Sequence, residues 1–219
     1  YGNDIRQLTA DTLRDFLAKD NVSKNWDNLG KTLKETGETL GKITKADWNY
    51  IKAVTNEYRF LEKQEGDKAG EKIVRDFYKD AKNGVSAERA EQLNKLMGAM
   101  RAVASNVLDY YVEKGVMTQE AVDKLRSAPG YTNGMYLPMY ITGGVKTGGI
   151  ISQDRSLYKR VKNPDVLIKL DDIDNPMNSL ARYVNNAMRA IAINDKALAI
   201  REAASMAGVG IHVTSDSGD

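Results

Sequence analysis

Glutamates supply the first candidate chemistry in this chain. Glu57, Glu62 and Glu65 fall on one predicted helix, and a cell-wall hydrolase could use an acidic pair such as Glu57 and Glu62 for acid–base and nucleophilic catalysis. Arg59 and Lys63 are interleaved with them, however. Helical glutamates among basic residues are typical of a solvated face with pairs at i,i+4 spacing. The pattern therefore favours a surface role, with the hydrolase as an alternative.

A second acidic group, Asp171, Asp172 and Asp174, comes directly before the dipeptide Asn175-Pro176. Such a run could bind a metal ion or take part in catalysis. Asparagine followed by proline, however, predicts the N-cap and first turn of a helix, and negative charge is favourable at that end of a helix. The pattern favours this helix-terminal role over a chemical one.

The glycine-rich stretch Gly143–Gly149 invites comparison with loops that bind phosphate, because Lys146 lies inside it. A nucleotide-binding P-loop needs the pattern GxxxxGK[ST] between a strand and a helix. Here Lys146 precedes the last two glycines instead. The stretch is more typical of a flexible hairpin tip.

Histidine and cysteine limit the remaining chemistry. The single histidine, His212, is a general base by residue type, but the alternating sequence IHVT around it is typical of an exposed strand. The chain has no cysteine, which excludes disulfides, thiolate nucleophiles and Cys-based zinc or iron–sulfur sites. We therefore expect no catalytic residue, no metal site and no cofactor.

A basic cluster is the candidate for nucleic-acid contact. Its members precede the last predicted helix: Arg155, Lys159, Arg160 and Lys162. They could contact DNA phosphates, and Arg182 and Arg189 on the following helix could extend the patch. Nearby aspartates would cancel much of that field. A solvated surface is therefore favoured, and DNA contact is kept as an alternative.

The composition of the whole chain sets wider limits. The net charge is +2, from 32 basic and 30 acidic side chains, which gives no overall attraction to nucleic acid or anionic lipid. No apolar run approaches the ~20 residues that span a membrane, so no span is expected. The start at Tyr1 and the polar end SDSGD suggest a fragment of a longer protein.

Helical periodicity dominates the first 127 residues. No proline occurs before residue 129, so none interrupts a helix there. Apolar side chains recur at three- and four-residue spacing, which predicts amphipathic helices. The stripes run over Ile5–Leu17, Val22–Leu33, Trp48–Leu61 and Ile73–Ala81. Thr44 with Asp47 predicts a capping box before the third of these helices.

A longer helix is predicted next, from a cap at Ser86 to Lys114, with Gly115 as its stop. At 1.5 Å per residue it is roughly 40 Å long. A short helix that opens at Thr118 should follow and end at residue 127. Residues 1–127 are therefore predicted to form a helical bundle.

Residues 128–174 differ in character, because prolines, glycines and β-branched residues replace the helical pattern. They predict a loop, a small β-hairpin across Gly143–Gly149 and a charged connector. In the loop, Tyr136, Pro138 and Tyr140 should pack against the helix of residues 86–114.

The second long helix is predicted over residues 175–207, and it packs back on the bundle ahead of a tail at 208–219. Its apolar side comprises Met177, Leu180, Val184, Ala187, Met188, Ile191 and Leu198. The same helix carries Tyr183, Asn185, Asn186 and Asn194. Asparagine is a poor helix former, so these side chains could make specific hydrogen bonds to other elements. The favoured interpretation is a plain polar edge on a closely packed helix. The predicted fold is a mainly α, multi-helix bundle in one structural domain. It has two long helices, which bury their stripes on each other, and a small β-hairpin element.

Two segments together resemble a known family. The first is YYVEKGVMTQEAVDKLRSAPGYTNGMYLPMY, and the second runs from SLYKRVKNPDVLIKLDDIDNP through NSLARYVNNAMRAIAINDKALAIREAA. Over residues 86–207 this order is similar to the helical associated domain of very large phage and mobile-element polyvalent proteins. Family members often carry an arginine after the aromatic-aliphatic-proline core of the loop, whereas residues 136–140 read YLPMY.

The resemblance implies a non-catalytic structural or scaffolding module of a large protein delivered with DNA into a bacterial host. It implies a location in the phage virion, or in the host cytoplasm after delivery. Expected partners are neighbouring domains of the same chain, phage DNA or other virion proteins, and further copies of the chain. The alternatives are a DNA-contacting module of an ejected virion protein and a fragment of a cell-wall hydrolase. The family supplies no catalytic residues.

Overall fold

The computed structural model describes residues 2–61, 79–127, 137–140 and 170–206. The helices are α1 (Gly2–Leu17), α2 (Asp20–Leu40), α3 (Lys45–Leu61), α4 (Ala87–Glu113), α5 (Gln119–Arg126), a 3-10 turn (Leu170–Asp172) and α6 (Pro176–Met206). Helix accounts for 84% of the described residues, which confirms the mainly α class. The predicted β-hairpin is not supported: none of the described residues forms a strand, and Gly143–Gly149 lies outside them.

The predicted boundaries at Ser86, Gly115 and Thr118 rest on local capping chemistry, and the structure confirms them. The Ser86 side chain accepts a hydrogen bond from the backbone N–H of Arg89 at 3.2 Å, and α4 begins at the next residue. The Thr118 side chain does the same for Ala121 at 3.2 Å. Gly115, with φ of +66°, follows α4 in the left-handed region that favours glycine.

The start of α6 follows the same logic. The Asn175 side-chain oxygen accepts from the backbone N–H of Met177 at 2.9 Å, and Pro176 is the first helical residue. Proline fits there because its missing N–H has no helical acceptor in the first turn. The predicted N-cap is therefore confirmed.

Two shorter helices pack along α4 in opposite directions. On α2, the side chain of Asn25 donates to Asn106 at 3.2 Å, while Lys19, just before α2, reaches Glu113 at 2.7 Å. Residues later in α2 therefore contact residues earlier in α4, so these helices are antiparallel. On α3, Asp47 meets Arg89, and the Tyr50 hydroxyl donates to Asn94 at 3.1 Å, so α3 runs parallel to α4.

The long helices α4 and α6 contact each other, but neither has the other as its main neighbour. The more extensive packing joins α2 to α4 and α1 to α6. The expectation that the two long helices mainly cover each other is therefore wrong. Shorter helices provide most of the apolar surface that shields them.

The core follows α4 for most of its length but follows α6 for only about half. Buried side chains of α4 extend from Leu93 to Tyr110, whereas those of α6 end at Ala192. Leu198 was predicted to be buried but is 51% exposed, because α6 continues beyond the core. Among the described residues, no helix is both long and apolar enough to cross a membrane.

Candidate functional site

The predicted loop residue Tyr140 lies where residues 137–140 and 170–175 meet the start of α6. Tyr140 is only 6% exposed. Its backbone N–H donates to the Ser179 hydroxyl at 3.2 Å, and its carbonyl accepts from the backbone N–H of Asp174 at 2.7 Å. Pro138 is also buried, and Tyr136 lies outside the described residues. The described hydrogen bonds of Tyr140 thus go to α6 and the segment before it.

Arg182 joins the same elements through its charge. Its guanidinium donates to the carboxylate of Asp174 at 3.0 Å, and its central carbon lies 5.3 Å from the centre of the Tyr140 ring. A guanidinium near an aromatic face is attracted by the ring quadrupole. The Asn186 amide also donates to the Tyr140 hydroxyl at 3.4 Å. Tyr140, Asp174 and Arg182, three residues singled out for different reasons, therefore form one cluster.

Lys52 completes this junction from α3 and was not predicted from the sequence. It is 8% exposed, and its ammonium donates to the backbone carbonyls of Leu170 at 3.1 Å and Ile173 at 2.6 Å. Burial lowers the pKa of Lys52, while the negative charges of Asp171 and Asp174 act to raise it. Buried lysines with a lowered pKa are common in active sites. Here the ammonium instead holds two backbone carbonyl oxygens at the ends of the 3-10 turn, and that of Leu170 also accepts from the backbone N–H of Ile173 at 3.2 Å.

Asp171 marks the exposed edge of the junction. Its carboxylate forms an ion pair with Lys45 at 2.9 Å, and both side chains are well exposed to solvent. Such a pair contributes little to stability because water screens it. The backbone of Asp172 belongs to the 3-10 turn. The predicted acidic run therefore divides between a surface pair and the half-buried contact of Asp174 with Arg182.

A second buried charge pair joins α3 to α4. The Asp47 side chain is 0% exposed, and both of its carboxylate oxygens accept hydrogen bonds from the Arg89 guanidinium. One of them also accepts from the Thr44 backbone N–H at 2.6 Å and from the Thr44 hydroxyl at 2.8 Å. The predicted capping box is thereby confirmed. Burial raises the pKa of Asp47, but the Arg89 and Thr44 hydrogen bonds lower it by more, so the net pKa shift is downward.

The asparagines predicted to make specific contacts differ among themselves. Asn186 bonds to Tyr140, as described above, whereas Asn185 is exposed and Tyr183 is half-buried. The side-chain nitrogen of Asn194 is buried without a hydrogen-bond partner. Arg189 is exposed on α6. The expected hydrogen bonding between elements is thus found at Asn186 alone among these three asparagines.

Several candidate residues lie outside the described part of the chain. They are the basic cluster Arg155, Lys159, Arg160 and Lys162, the Gly143–Gly149 stretch with Lys146, the histidine His212, and the glutamates Glu62 and Glu65. Glu57 lies on α3. The DNA-contact and acidic-pair hypotheses therefore stay predictions. Across the ranges that are described, no three His, Cys, Asp or Glu side chains come together as metal ligands.

The site is accordingly a junction of four segments joined by charged and polar side chains. Comparison of the chain with protein families, with curated proteins and with solved structures finds no match. The contacts described here hold α3, residues 137–140, residues 170–174 and α6 together.

Proposed function

We propose that this chain is a non-catalytic structural module, a scaffold within a larger phage or mobile-element protein delivered with DNA into a bacterial host. One observation carries the scaffolding part. The buried charged groups at its two junctions, Asp47 and Lys52, each hold a second element of the fold. The origin of the parent protein rests on the resemblance of residues 86–207.

The nature of those contacts supports a mechanical role. A general acid, base or nucleophile needs an open side on which substrate approaches its reactive atom. The Lys52 ammonium faces two backbone carbonyls, and the Asp47 carboxylate faces Arg89 and Thr44. Each group thereby stabilises one arrangement of helices. A rigid helical body of this kind suits packing beside the other domains of a long chain.

Deletion of the module from its parent reading frame is the direct test. If the module is a scaffold, the neighbouring domains of the parent protein should lose solubility or fail to assemble when residues 1–219 are removed. Any catalytic activity of those domains, measured per folded molecule, should be unchanged. The Arg89→Met variant in the full-length protein should produce a milder form of the same defect. Loss of turnover with intact assembly would contradict the proposal.

The two alternatives give distinct outcomes with the isolated chain. Salt-dependent DNA binding that is lost on Lys159→Ala, Arg160→Ala and Lys162→Ala substitution would identify a DNA-contacting module. Cell-wall hydrolysis that is lost in the Glu57→Gln or Glu62→Gln variant would identify a hydrolase. A scaffold predicts neither activity.

A further inference from the structure

The outward side of α6 carries an apolar stripe that the rest of the described chain leaves in solvent. Ile193 is 46% exposed and Ile200 is 54% exposed. Ala190 and Ala197 on the same side are exposed as well. We call these four residues, Ala190, Ile193, Ala197 and Ile200, the α6 seam.

The α6 seam lies opposite the side of α6 that faces the core. A helix turns about 100° per residue, which places Ile193 nearly opposite Val184 and Ile191, both of which are buried. A surface helix of a globular protein normally has one apolar side, and the other is polar. The middle of α6 is apolar on both sides, so the second side is suited to an interface.

The spacing within the α6 seam is that of a coiled coil. Intervals of three, four and three residues match the alternating a and d positions of the heptad repeat. Alanine occupies each a position and isoleucine each d position. Small and large side chains therefore alternate along the seam.

This alternation makes the seam complementary to itself. In an antiparallel pair, a positions of one helix face d positions of the other. Ala190 then faces Ile200 of the second copy, and Ile193 faces Ala197 of the second copy. Each layer places one large side chain against one small one, with a two-fold axis near residue 195, as an isologous interface requires.

The charges beside the seam favour the same orientation. In a parallel pair, Lys196 of each copy would lie against the exposed Arg201 of the other copy, which gives two repulsive pairs of like charges. The antiparallel pair brings together one pair of like charges, Lys196 and Lys196 of the second copy. Asp4 lies 3.9 Å from Lys196 within the same chain in either orientation, so the antiparallel contact has the smaller repulsion.

We propose that the α6 seam is a homodimer interface, in which α6 packs antiparallel on α6 of a second copy of this chain. The four residues of the seam lie within the stretch 190–200, which is about 16 Å of helix. Such a contact buries less than the ~1,200 Å² of a standard stable complex. Association is therefore weak for the isolated chain and depends on its concentration.

Engineered cysteines test the geometry, since the chain has none of its own. The Ile193→Cys and Ala197→Cys variants are mixed in equal amounts and mildly oxidised, and the disulfide-linked species are separated by mass. Random pairing of equal amounts already gives about twice as much mixed disulfide as either homodimer, so the antiparallel pair predicts a mixed disulfide well above this twofold ratio. The Lys34→Cys variant, on the exposed surface of α2, gives the background from random collision. Predominance of the Ile193→Cys homodimer, or no product above that background, overturns the proposal.

Analytical ultracentrifugation tests the interface without oxidation. The average mass of the wild-type chain should rise from one copy toward two as concentration increases to several hundred micromolar. The Ile193→Glu variant should weaken dimerisation by at least about tenfold, since it replaces an apolar contact by a buried charge. Leu198→Glu is the matched control, because Leu198 is 51% exposed on the same helix but lies off the seam.

Circular dichroism of each variant shows whether the fold is retained, and only folded variants are compared. A wild-type chain that stays monomeric throughout the series overturns the proposal. An equal effect of Leu198→Glu and Ile193→Glu also overturns it, because the contact would then not be the seam.

Discussion

The two longest helices of the described chain, α4 with 27 residues and α6 with 31, have similar apolar patterns but different surroundings. The core covers α4 from Leu93 to Tyr110, and it covers α6 only as far as Ala192. Beyond that point Leu198 and Ile200 are about half exposed. An apolar pattern thus predicts a helix and its faces, whereas the partner of each face depends on the rest of the fold.

Truncation of a core side chain in α4 should have the largest effect. Met100 is 0% exposed, so Met100→Ala leaves a cavity and should lower the free energy of unfolding by roughly 3–4 kcal/mol. Ile200→Ala in α6 should change it by less than about 0.5 kcal/mol, as exposed substitutions usually do. Urea denaturation at low protein concentration measures both. Equal losses would remove the contrast between the two helices.

The Asp47–Arg89 pair ties the start of α4 to α3, with the Asp47 side chain fully buried, whereas the pair of Lys196 on α6 with Asp4 is longer, at 3.9 Å, and its carboxylate is exposed. Arg89→Met leaves the buried Asp47 carboxylate without its cation and should lower the free energy of unfolding by about 2–3 kcal/mol. The expected loss is moderate because the Arg89 side chain is 23% exposed. Chemical denaturation at neutral pH gives the value, and a loss under 0.5 kcal/mol would contradict a buried pair.

The pH dependence of this pair provides a second measurement. Because the folded-state pKa of Asp47 lies below its ordinary value of 3.8, the unfolded chain binds more protons between the two pKa values. The stability from the pair is therefore present above pH 3.8 and is lost as the pH falls through the lower folded-state pKa. The difference between wild type and Arg89→Met should shrink on acidification. A difference that stays constant down to pH 2 would exclude Asp47 as the titrating group.

The N-cap of α4 should have a smaller effect. Ser86→Ala removes the acceptor of the Arg89 backbone N–H and should lower the free energy of unfolding by about 1 kcal/mol. Ser23→Ala, an exposed position inside α2, is the control and should have no comparable effect. Thermal unfolding followed by circular dichroism compares them. Equal melting temperatures for the two variants would show that the cap does not stabilise α4.

Arg101 should give the smallest effect and the opposite sign. The half-buried arginines of the described chain are Arg89, Arg101, Arg126 and Arg182. Acidic partners are present for Arg89, Arg126 and Arg182, whereas Arg101 has none among the described residues, and burial lowers its pKa. Arg101→Met should raise the free energy of unfolding by up to about 1 kcal/mol, because it removes a desolvated charge. Arg126→Met should lower it, and denaturant titration of both variants distinguishes the signs.

The features that the sequence predicted correctly depend on neighbours a few residues apart. The caps at Ser86, Thr118 and Asn175 are local, since each accepts a hydrogen bond from a residue two or three positions away. The stop at Gly115 is local in the same way. Such chemistry is specified within one turn of helix and needs no knowledge of the fold.

The features that were missed depend on contacts between distant parts of the chain. Lys52 holds residues more than 100 positions away, and Asp47 pairs with Arg89 across 42 positions. No spacing rule connects such residues. Leu198 was predicted to be buried because it continues the stripe of α6, but where the core ends depends on the length of the helices packed against α6. Tyr140 and Arg182 were candidates for unrelated reasons, and only the fold brings them together.

The hydrogen bond between Asn25 and Asn106 has a consequence for how α2 is aligned on α4. Apolar side chains repeat along both helices, so several alignments would bury similar areas. Only one of them joins the two amides, and a shift by one turn would leave the buried Asn106 side-chain oxygen without this donor. A polar pair inside an apolar helix contact can thus select one register at some expense in stability, and Asn106, 5% exposed with its side-chain nitrogen unbonded, has the features of such a selector.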